Sequence, residues 1–365
     1  MSAFLKSPPS PTACWRMLAT VLLAALAGEL AQQAHLPLPW MLGPLFSVAC
    51  LRIAGLPLRS LPGGRQAGQW AIGTALGLYF TPLVLNQLYR HAAAILLMSA
   101  AALLLGLIAA RLLQRWAGSD SRTAFFAGLP GGASEMVVLC ERHGGRSDRV
   151  AAAHALRVML VVSIIPFALH HGLFAEISGH EIFQALNRDV NWLRLPWLLL
   201  ASGLGVALLS RLRIANAWVL GPLATIGALT AAEIPLSSLP VWMVNGGQLL
   251  LGIALGCRFA PGFFKAAPRF LAISTLATLL SLALCTALTV ALAWLSGLPA
   301  ASLLLAASPG GMAEMSITAR ELALSVPLVT ATHVLRVVLL TVLAPALFHL
   351  YRSRQAAHDG APHHD

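Results

Sequence analysis

Three pairs of ionisable residues recur at matching spacings in sequence that is otherwise apolar. They are Glu135 and Glu314, His154 and His333, and Arg157 and Arg336. Ionisable groups within membrane segments are costly, face the protein interior and mark ion or substrate paths. The sequence therefore predicts a binding or proton-transfer site at these positions.

The two glutamates admit two compatible interpretations. Glu135 and Glu314 could form a coupling-ion or proton site, or a gate in the path of a solute. Alternatively, each could cap its own short helix, because each lies three residues beyond a glycine.

The two arginines admit a binding and a structural interpretation. Arg157 and Arg336 could bind an anionic substrate or pair with Glu135 and Glu314. The structural interpretation is an ion pair that holds a hairpin against the last helix of each half, since buried charges are usually paired.

The histidines precede the arginines by three residues and so share a helix face with them. His154 and His333 could form a proton relay, or could be buried packing residues with satisfied hydrogen bonds. Gln69 and Gln248 are polar residues within apolar segments and are secondary candidates for lining a path.

Each glutamate follows a Pro-Gly-Gly stretch that should interrupt a helix. The two stretches are 129–136 and 308–315, and the predicted breaks are at Pro130, Gly131 and Gly132 and at Pro309, Gly310 and Gly311. A helix that begins after such a break presents free N–H groups and the positive end of its dipole, which favour anions.

No motif for a metal, a cofactor or catalysis is present. The five cysteines form no CxxC pair, so neither a disulfide framework nor a zinc site is indicated. The sequence contains no GxxxxGK[ST] or HExxH pattern. We therefore expect no metal, no cofactor and no enzymatic activity.

The composition is that of a membrane protein. Of 365 residues, 58% are hydrophobic and 10% are charged, against about 25% charged in soluble domains. Uncharged runs such as 92–110 and 270–293 are long enough to cross a bilayer as helices. The net charge of +11 is spread in ones to threes between apolar segments, so no nucleic-acid partner is expected.

The chain is internally duplicated. The stretch 39–45 matches 217–223, and the Pro-Gly-Gly stretches and the His-x-x-Arg pairs match at an offset of 179 residues. Each half reads as six helical segments. The predicted segments are 17–34, 38–56, 67–80, 91–116, 121–143 and 149–172, and 195–212, 215–233, 246–260, 270–296, 300–320 and 326–350. The N-terminus resembles a signal peptide, but its counterpart 198–209 is internal, which argues against cleavage.

The loop charges predict that the halves are inverted. Positive charge follows segments two and four in the first half, and segments one and three in the second half. This gives an all-α polytopic membrane protein with two inverted-topology repeats, about ten transmembrane helices and two re-entrant or broken helices. The rival assignment makes segment three the re-entrant one.

The predicted organisation follows from these segments. Cytoplasmic tails are expected at 1–16 and 351–365, membrane repeats at 17–172 and 194–350, and an external linker at 173–193. Lys6 lies in the first tail and Glu176 and Glu181 in the linker. Inverted repeats with interrupted helices are typical of secondary transporters.

The residues 40–44, 129–136 and 308–315 resemble the bacterial AbrB membrane-protein family, whose members carry an internal duplication of this kind. The similarity spans roughly 17–350. Its members are labelled AbrB-family transcriptional regulators or ammonia monooxygenases, and the resemblance supplies no catalytic residues. A monooxygenase would need a metal or flavin site, and a direct DNA-binding regulator would need a soluble domain.

The predicted function is that of a multi-pass bacterial inner-membrane transporter or carrier of a small solute, with both termini cytoplasmic and lipid as its surroundings. The alternative is a membrane sensor that acts indirectly on gene expression. The sequence leaves the oligomeric state open, a homodimer included.

Overall fold

A computed structural model describes residues 11–174 and 189–359, and every regular element within these ranges is an α-helix. The helices are α1 (Pro11–Gln33), α2 (Pro39–Ile53), α3 (Gly64–Gly77), α4 (Pro82–Arg90), α5 (Ala92–Ala117), α6 (Ser121–Gly128), α7 (Ala133–Arg142), α8 (Ser147–His170), α9 (Leu195–Arg211), α10 (Ala217–Ala231), α11 (Val241–Gly256), α12 (Phe263–Ala266), α13 (Pro268–Ser296), α14 (Ala300–Ala307), α15 (Met312–Glu321) and α16 (Val326–Asp359). Lys6 in the predicted N-terminal tail and Glu176 and Glu181 in the predicted linker lie outside the described residues.

Each of the twelve predicted segments corresponds to a helix or, at the Pro-Gly-Gly stretches, to two helices. Two elements, α4 and α12, were not predicted. Helix α4 buries only Val84 and Leu88, four residues apart on one face. A nine-residue amphipathic helix contains no long apolar run, so a search for apolar runs does not find it.

The apolar helices are those of a helical membrane protein. Five of them, within the described residues, are long and apolar enough to cross a bilayer, and α3 with α4 would make a sixth if taken as one span. The five are Pro11–Gln33, Ala92–Ala117, Ser147–His170, Pro268–Ser296 and Val326–Ala344. Helices α2, α9, α10 and α11 are also apolar but have 15 to 17 residues each.

The chain forms two compact units, and neither coincides with one predicted half. Unit 1 contains α1–α3 and α9–α12, and unit 2 contains α5–α8 and α13–α16 together with nearly all of α4. Each unit therefore draws consecutive helices from both halves of the chain.

Unit 1 is built on close helix contacts at glycines. Helix α1 packs on α2 and α9 on α10, while α2 packs on α11 and α3 on α10. A Cβ atom on Gly73 would lie 2.5 Å from the Val219 carbonyl oxygen, and one on Gly252 would lie 2.5 Å from the Met41 carbonyl oxygen. These approaches require the absence of a side chain, which is how small residues let membrane helices pack closely.

Unit 2 surrounds the two Pro-Gly-Gly stretches. Helix α5 packs on α6, α13 and α16, and α13 packs on α8 and α14. Helices α7 and α15 lie against α8 and α16, respectively. The contacts α5 with α16 and α13 with α8 are counterparts at the duplication offset. Both breaks and both His-x-x-Arg pairs therefore belong to one unit.

Candidate functional site

The Pro-Gly-Gly stretches interrupt two helices, as predicted from the sequence. Helix α6 ends at Gly128 and α7 begins at Ala133, with four residues between them. The backbone at Leu129 and at Gly132 is extended, with ψ angles of 134° and 121°. The break between α14 and α15, residues 308–311, has the same length.

The C-terminal end of α6 lacks a backbone donor because of its proline. The carbonyl oxygen of Phe126 would normally accept from the N–H group four residues on, but that residue is Pro130, which has none. Instead, Nε2 of His154 lies 3.0 Å from the Phe126 oxygen. The imidazole therefore replaces the hydrogen bond that the proline removes.

Arg157 supplies donors to the remaining carbonyls of this helix end. Its Nη1 donates to the oxygens of Ala127 and Gly128, at 3.3 and 3.1 Å. The last carbonyls of an α-helix have no intrahelical donor and carry the negative end of the dipole. A guanidinium is suited to this position because it offers several donors and a positive charge.

The second half repeats this arrangement with one difference. Nε2 of His333 lies 3.0 Å from the Leu305 oxygen, whose usual donor would be at Pro309. Arg336, however, donates to carbonyl oxygens within the break, from Nη1 to Ser308 and from Nη2 to Gly310, both at 2.6 Å. The two arginines thus hold different parts of their breaks.

Each arginine also fixes the tautomer of its histidine. Nη2 of Arg157 lies 2.7 Å from Nδ1 of His154, and Nη2 of Arg336 lies 2.9 Å from Nδ1 of His333. Because a guanidinium only donates, Nδ1 is the acceptor and Nε2 carries the proton that binds the carbonyl. In this geometry both imidazoles are neutral.

Both guanidinium groups are buried without a carboxylate partner. Arg157 is 7% exposed and Arg336 is 2% exposed. Within the described part of the chain, all their hydrogen bonds go to carbonyl oxygens and to imidazoles, and their Nε atoms have no partner. The arginines hold the breaks against α8 and α16, but not through the ion pairs with Glu135 and Glu314 that the sequence suggested.

The glutamates lie in the first turns of α7 and α15 and are half-buried. A Cβ atom on Gly311 would collide with the Glu314 carboxylate, so this side chain folds back over the start of α15. A carboxylate at this position is stabilised by the positive end of the helix dipole. This position fits the capping interpretation of Glu314 and leaves its carboxylate accessible to a ligand.

The two glutamine candidates are separate from this cluster. Gln69 is half-buried in α3 and Gln248 is buried in α11, and both helices belong to unit 1. The six ionisable candidates and the six residues of the breaks all belong to unit 2.

Two features of the site were not predicted from the sequence. The Thr123 hydroxyl accepts from Arg146 N at 2.8 Å, and Ser302 accepts from Ser325 N at 3.0 Å, so each half helix is tied to the loop before the following long helix. The second feature is a stripe of hydroxyl residues on α13, described below with the cavity that it lines. The hydroxyl pair could have been found from its offset of 179 residues, and the stripe from the helical spacing of its polar residues.

Residues 11–174 and 189–359 contain no group of three or more His, Cys, Asp or Glu side chains that could hold a metal ion.

A bundle of apolar helices with two interrupted helices, each held by a buried His-Arg pair, defines a polytopic helical membrane protein. The chain matches the family described as "Transition state regulatory protein AbrB" over residues 40–352. It therefore belongs to the AbrB family, as its motifs indicated.

Two curated relatives match nearly the whole chain. "Uncharacterized protein YhjN" of Bacillus subtilis (strain 168) is 25% identical over 352 residues, which cover 90% of this chain and 91% of the relative. "Putative regulator AbrB" of Escherichia coli (strain K12) is 25% identical over 339 residues, 92% of this chain and 96% of the relative. No solved structure matches the chain.

Proposed function

We propose that this protein is a secondary transporter or carrier of a small solute, working by alternating access at the two helix breaks of unit 2. The proposal assigns it no enzymatic reaction. The observation that carries it is the pair of interrupted helices. Each has a half-buried carboxylate at the start of its second part, and each has a buried arginine bound either to the end of its first part or to the break itself.

Interrupted helices support transport for a physical reason. Irregular backbone at membrane depth is tolerated where protein buries it or where it lines a watery cavity. Here the broken backbone is held by side chains instead of by its own helical hydrogen bonds. Such bonds can be exchanged for bonds to a solute, whereas an intact helix has no free groups to offer.

The proposed topology has two inverted repeats, about ten crossings and both termini cytoplasmic in the bacterial inner membrane. The distribution of Lys and Arg in the loops supports it. Alternating access in such transporters arises because inverted repeats exchange their conformations around a central site.

A membrane sensor with an indirect effect on gene expression is the second candidate. It is favoured by the description of the family and by the name of the Escherichia coli relative, both of which refer to regulation. In this function the same site would bind a ligand without moving it across the membrane.

Flux into proteoliposomes tests the proposal. Full-length protein is reconstituted, and uptake of ammonium, formate, chloride and glycine is measured at several pH values. We expect flux of at least one solute, reduced about tenfold by Glu135→Gln or Glu314→Gln, which corresponds to about 1.4 kcal/mol at the barrier.

Glu141→Gln is the matched control, because Glu141 is exposed on the same helix as Glu135. The control should keep wild-type flux. Absence of flux for every solute, or equal flux in all three variants, would contradict the transport proposal. Ligand-induced stabilisation without flux would favour the sensor.

A further inference from the structure

Unit 2 contains a small cavity between the two helix breaks. It is lined by residues of α5, α6, α8, α13 and α14 and by both prolines of the breaks. The lining residues that matter here are Gly106, Pro130, Arg157, Ser274, Thr278 and Pro309. The space open to the centre of a water-sized sphere is about 20 Å³, enough for one water molecule or one ion of similar size.

One charged side chain lines this cavity, and it is incompletely satisfied. Only 7% of the Arg157 surface is exposed, and its Nε has no hydrogen-bond partner in the described part of the chain. Burying a guanidinium costs several kcal/mol unless other charges compensate it. The C-terminal end of α6 supplies only about half an elementary charge, so part of the positive charge remains uncompensated.

The glutamates do not supply the missing charge. Glu314 folds back over Gly311 at the start of α15, where it faces the positive pole of its own helix. Neither Glu314 nor Glu135 lines the cavity, and Arg157 makes no ion pair with either in the described residues. The uncompensated charge of Arg157 is therefore available to a bound anion.

Helix α13 presents hydroxyl groups to the same cavity. Ser274, Thr278 and Ser281 lie at helical spacing on one face and all line it. The Thr278 and Ser281 hydroxyls donate to carbonyl oxygens one turn earlier, both at 2.8 Å. The Ser274 hydroxyl has no hydrogen-bond partner within the described residues, so it can donate to a ligand.

We propose that this cavity binds a monovalent anion of about the size of chloride, held by the Arg157 guanidinium and the Ser274 hydroxyl, and that the transported solute belongs to this class. The second part of this statement rests on the proposed transport function, whereas the binding itself does not.

Equilibrium binding of radioactive chloride tests the site directly. Full-length protein is purified in detergent with sodium gluconate as the only salt, and bound ³⁶Cl⁻ is measured against its free concentration. We expect saturable binding near one ion per chain, competed by nitrate and formate but not by gluconate, which is too large for the cavity. Absence of saturable binding to folded protein would overturn the proposal.

Two variants locate the site without removing the arginine, whose loss would also destabilise α6. Ser274→Ala should weaken chloride binding about ten- to a hundredfold, the effect of one hydrogen bond to a charged ligand. Ala277→Val should weaken it at least as much, since Ala277 is 3% exposed and lines the cavity. Ala283→Val, at an exposed position on the same helix, is the control.

Unchanged binding in both cavity variants, or equal loss in the control, would overturn the assignment to this cavity. Chloride flux into proteoliposomes then separates the two proposals. Binding without flux of any solute contradicts transport and keeps the site, whereas flux of another solute without chloride binding keeps transport and overturns the site.

Discussion

Replacing His154 or His333 removes the donor that stands in for a proline N–H group at the end of a half helix. In the variants His154→Leu and His333→Leu, the carbonyl oxygens of Phe126 and Leu305 lose the imidazole hydrogen bond, measured at 3.0 Å in both cases. The neighbouring guanidinium loses an acceptor at the same time. We expect both variants to be less stable than the wild type.

The expected magnitude follows from these two hydrogen bonds. An unsatisfied buried carbonyl costs about 1–3 kcal/mol, and hydrogen bonds to charged groups contribute about 1.5–3 kcal/mol in soluble proteins. Side-chain hydrogen bonds in membrane proteins average nearer 0.6 kcal/mol. We therefore expect His154→Leu to lower the free energy of unfolding by about 2–4 kcal/mol.

The two histidines should not be equivalent. The Leu305 oxygen also accepts from the Ser308 hydroxyl at 2.8 Å, whereas Leu129, the counterpart of Ser308 in the first half, has no hydroxyl. His333→Leu should therefore cost about 1 kcal/mol less than His154→Leu, the net contribution of one hydrogen bond. Combining Ser308→Ala with His333→Leu should remove this difference.

Unfolding by SDS in mixed micelles, followed by tryptophan fluorescence, measures these changes. His154→Gln keeps an N–H donor and should recover part of the loss. His170→Leu is the control, because His170 is exposed on the same helix as His154. Equal losses for the two histidines, or a comparable loss for His170→Leu, would show that the imidazole hydrogen bonds do not stabilise the half helices in this way.

Three further predictions concern the arginine, the glycine contacts and the topology. Arg336→Lys keeps the charge but loses the planar fork that reaches two carbonyl oxygens at 2.6 Å, so unfolding measurements should show a loss of about 1–3 kcal/mol. Gly252→Ala should prevent stable folding because its Cβ would meet the Met41 carbonyl oxygen. Gly246→Ala on the same helix is the control: its Cβ would meet nothing within 4 Å, so in the same assay it should be neutral or stabilising by up to about 1 kcal/mol. In a cysteine-free background, Ser60→Cys and Ser238→Cys should be labelled by impermeant reagents from opposite faces, and labelling from one face would contradict the inverted repeats.

Much of the fold could be predicted from local sequence because membrane helices and their interruptions have local causes. The long apolar runs predicted α5 and α13, and Pro130 and Pro309 predicted the breaks because proline removes a backbone donor wherever it stands. The spacing of His154 and Arg157 placed both on one helix face. In contrast, α4 was missed because a nine-residue amphipathic helix that buries only two residues contains no long apolar run.

The partners of the charged side chains could not be predicted from the sequence. The sequence suggested an anionic substrate or a glutamate as the partner of Arg157, whereas its hydrogen bonds go to the oxygens of Ala127 and Gly128. This choice depends on where α6 ends relative to α8, which is set by packing between residues about 30 positions apart.

Apolarity and the missing proline N–H act locally, so the amino-acid sequence alone indicates that each half of this membrane protein carries an interrupted helix. That both interruptions share one unit with a buried cavity is a property of the tertiary packing, because it requires α8 and α13, from different halves, to pack together.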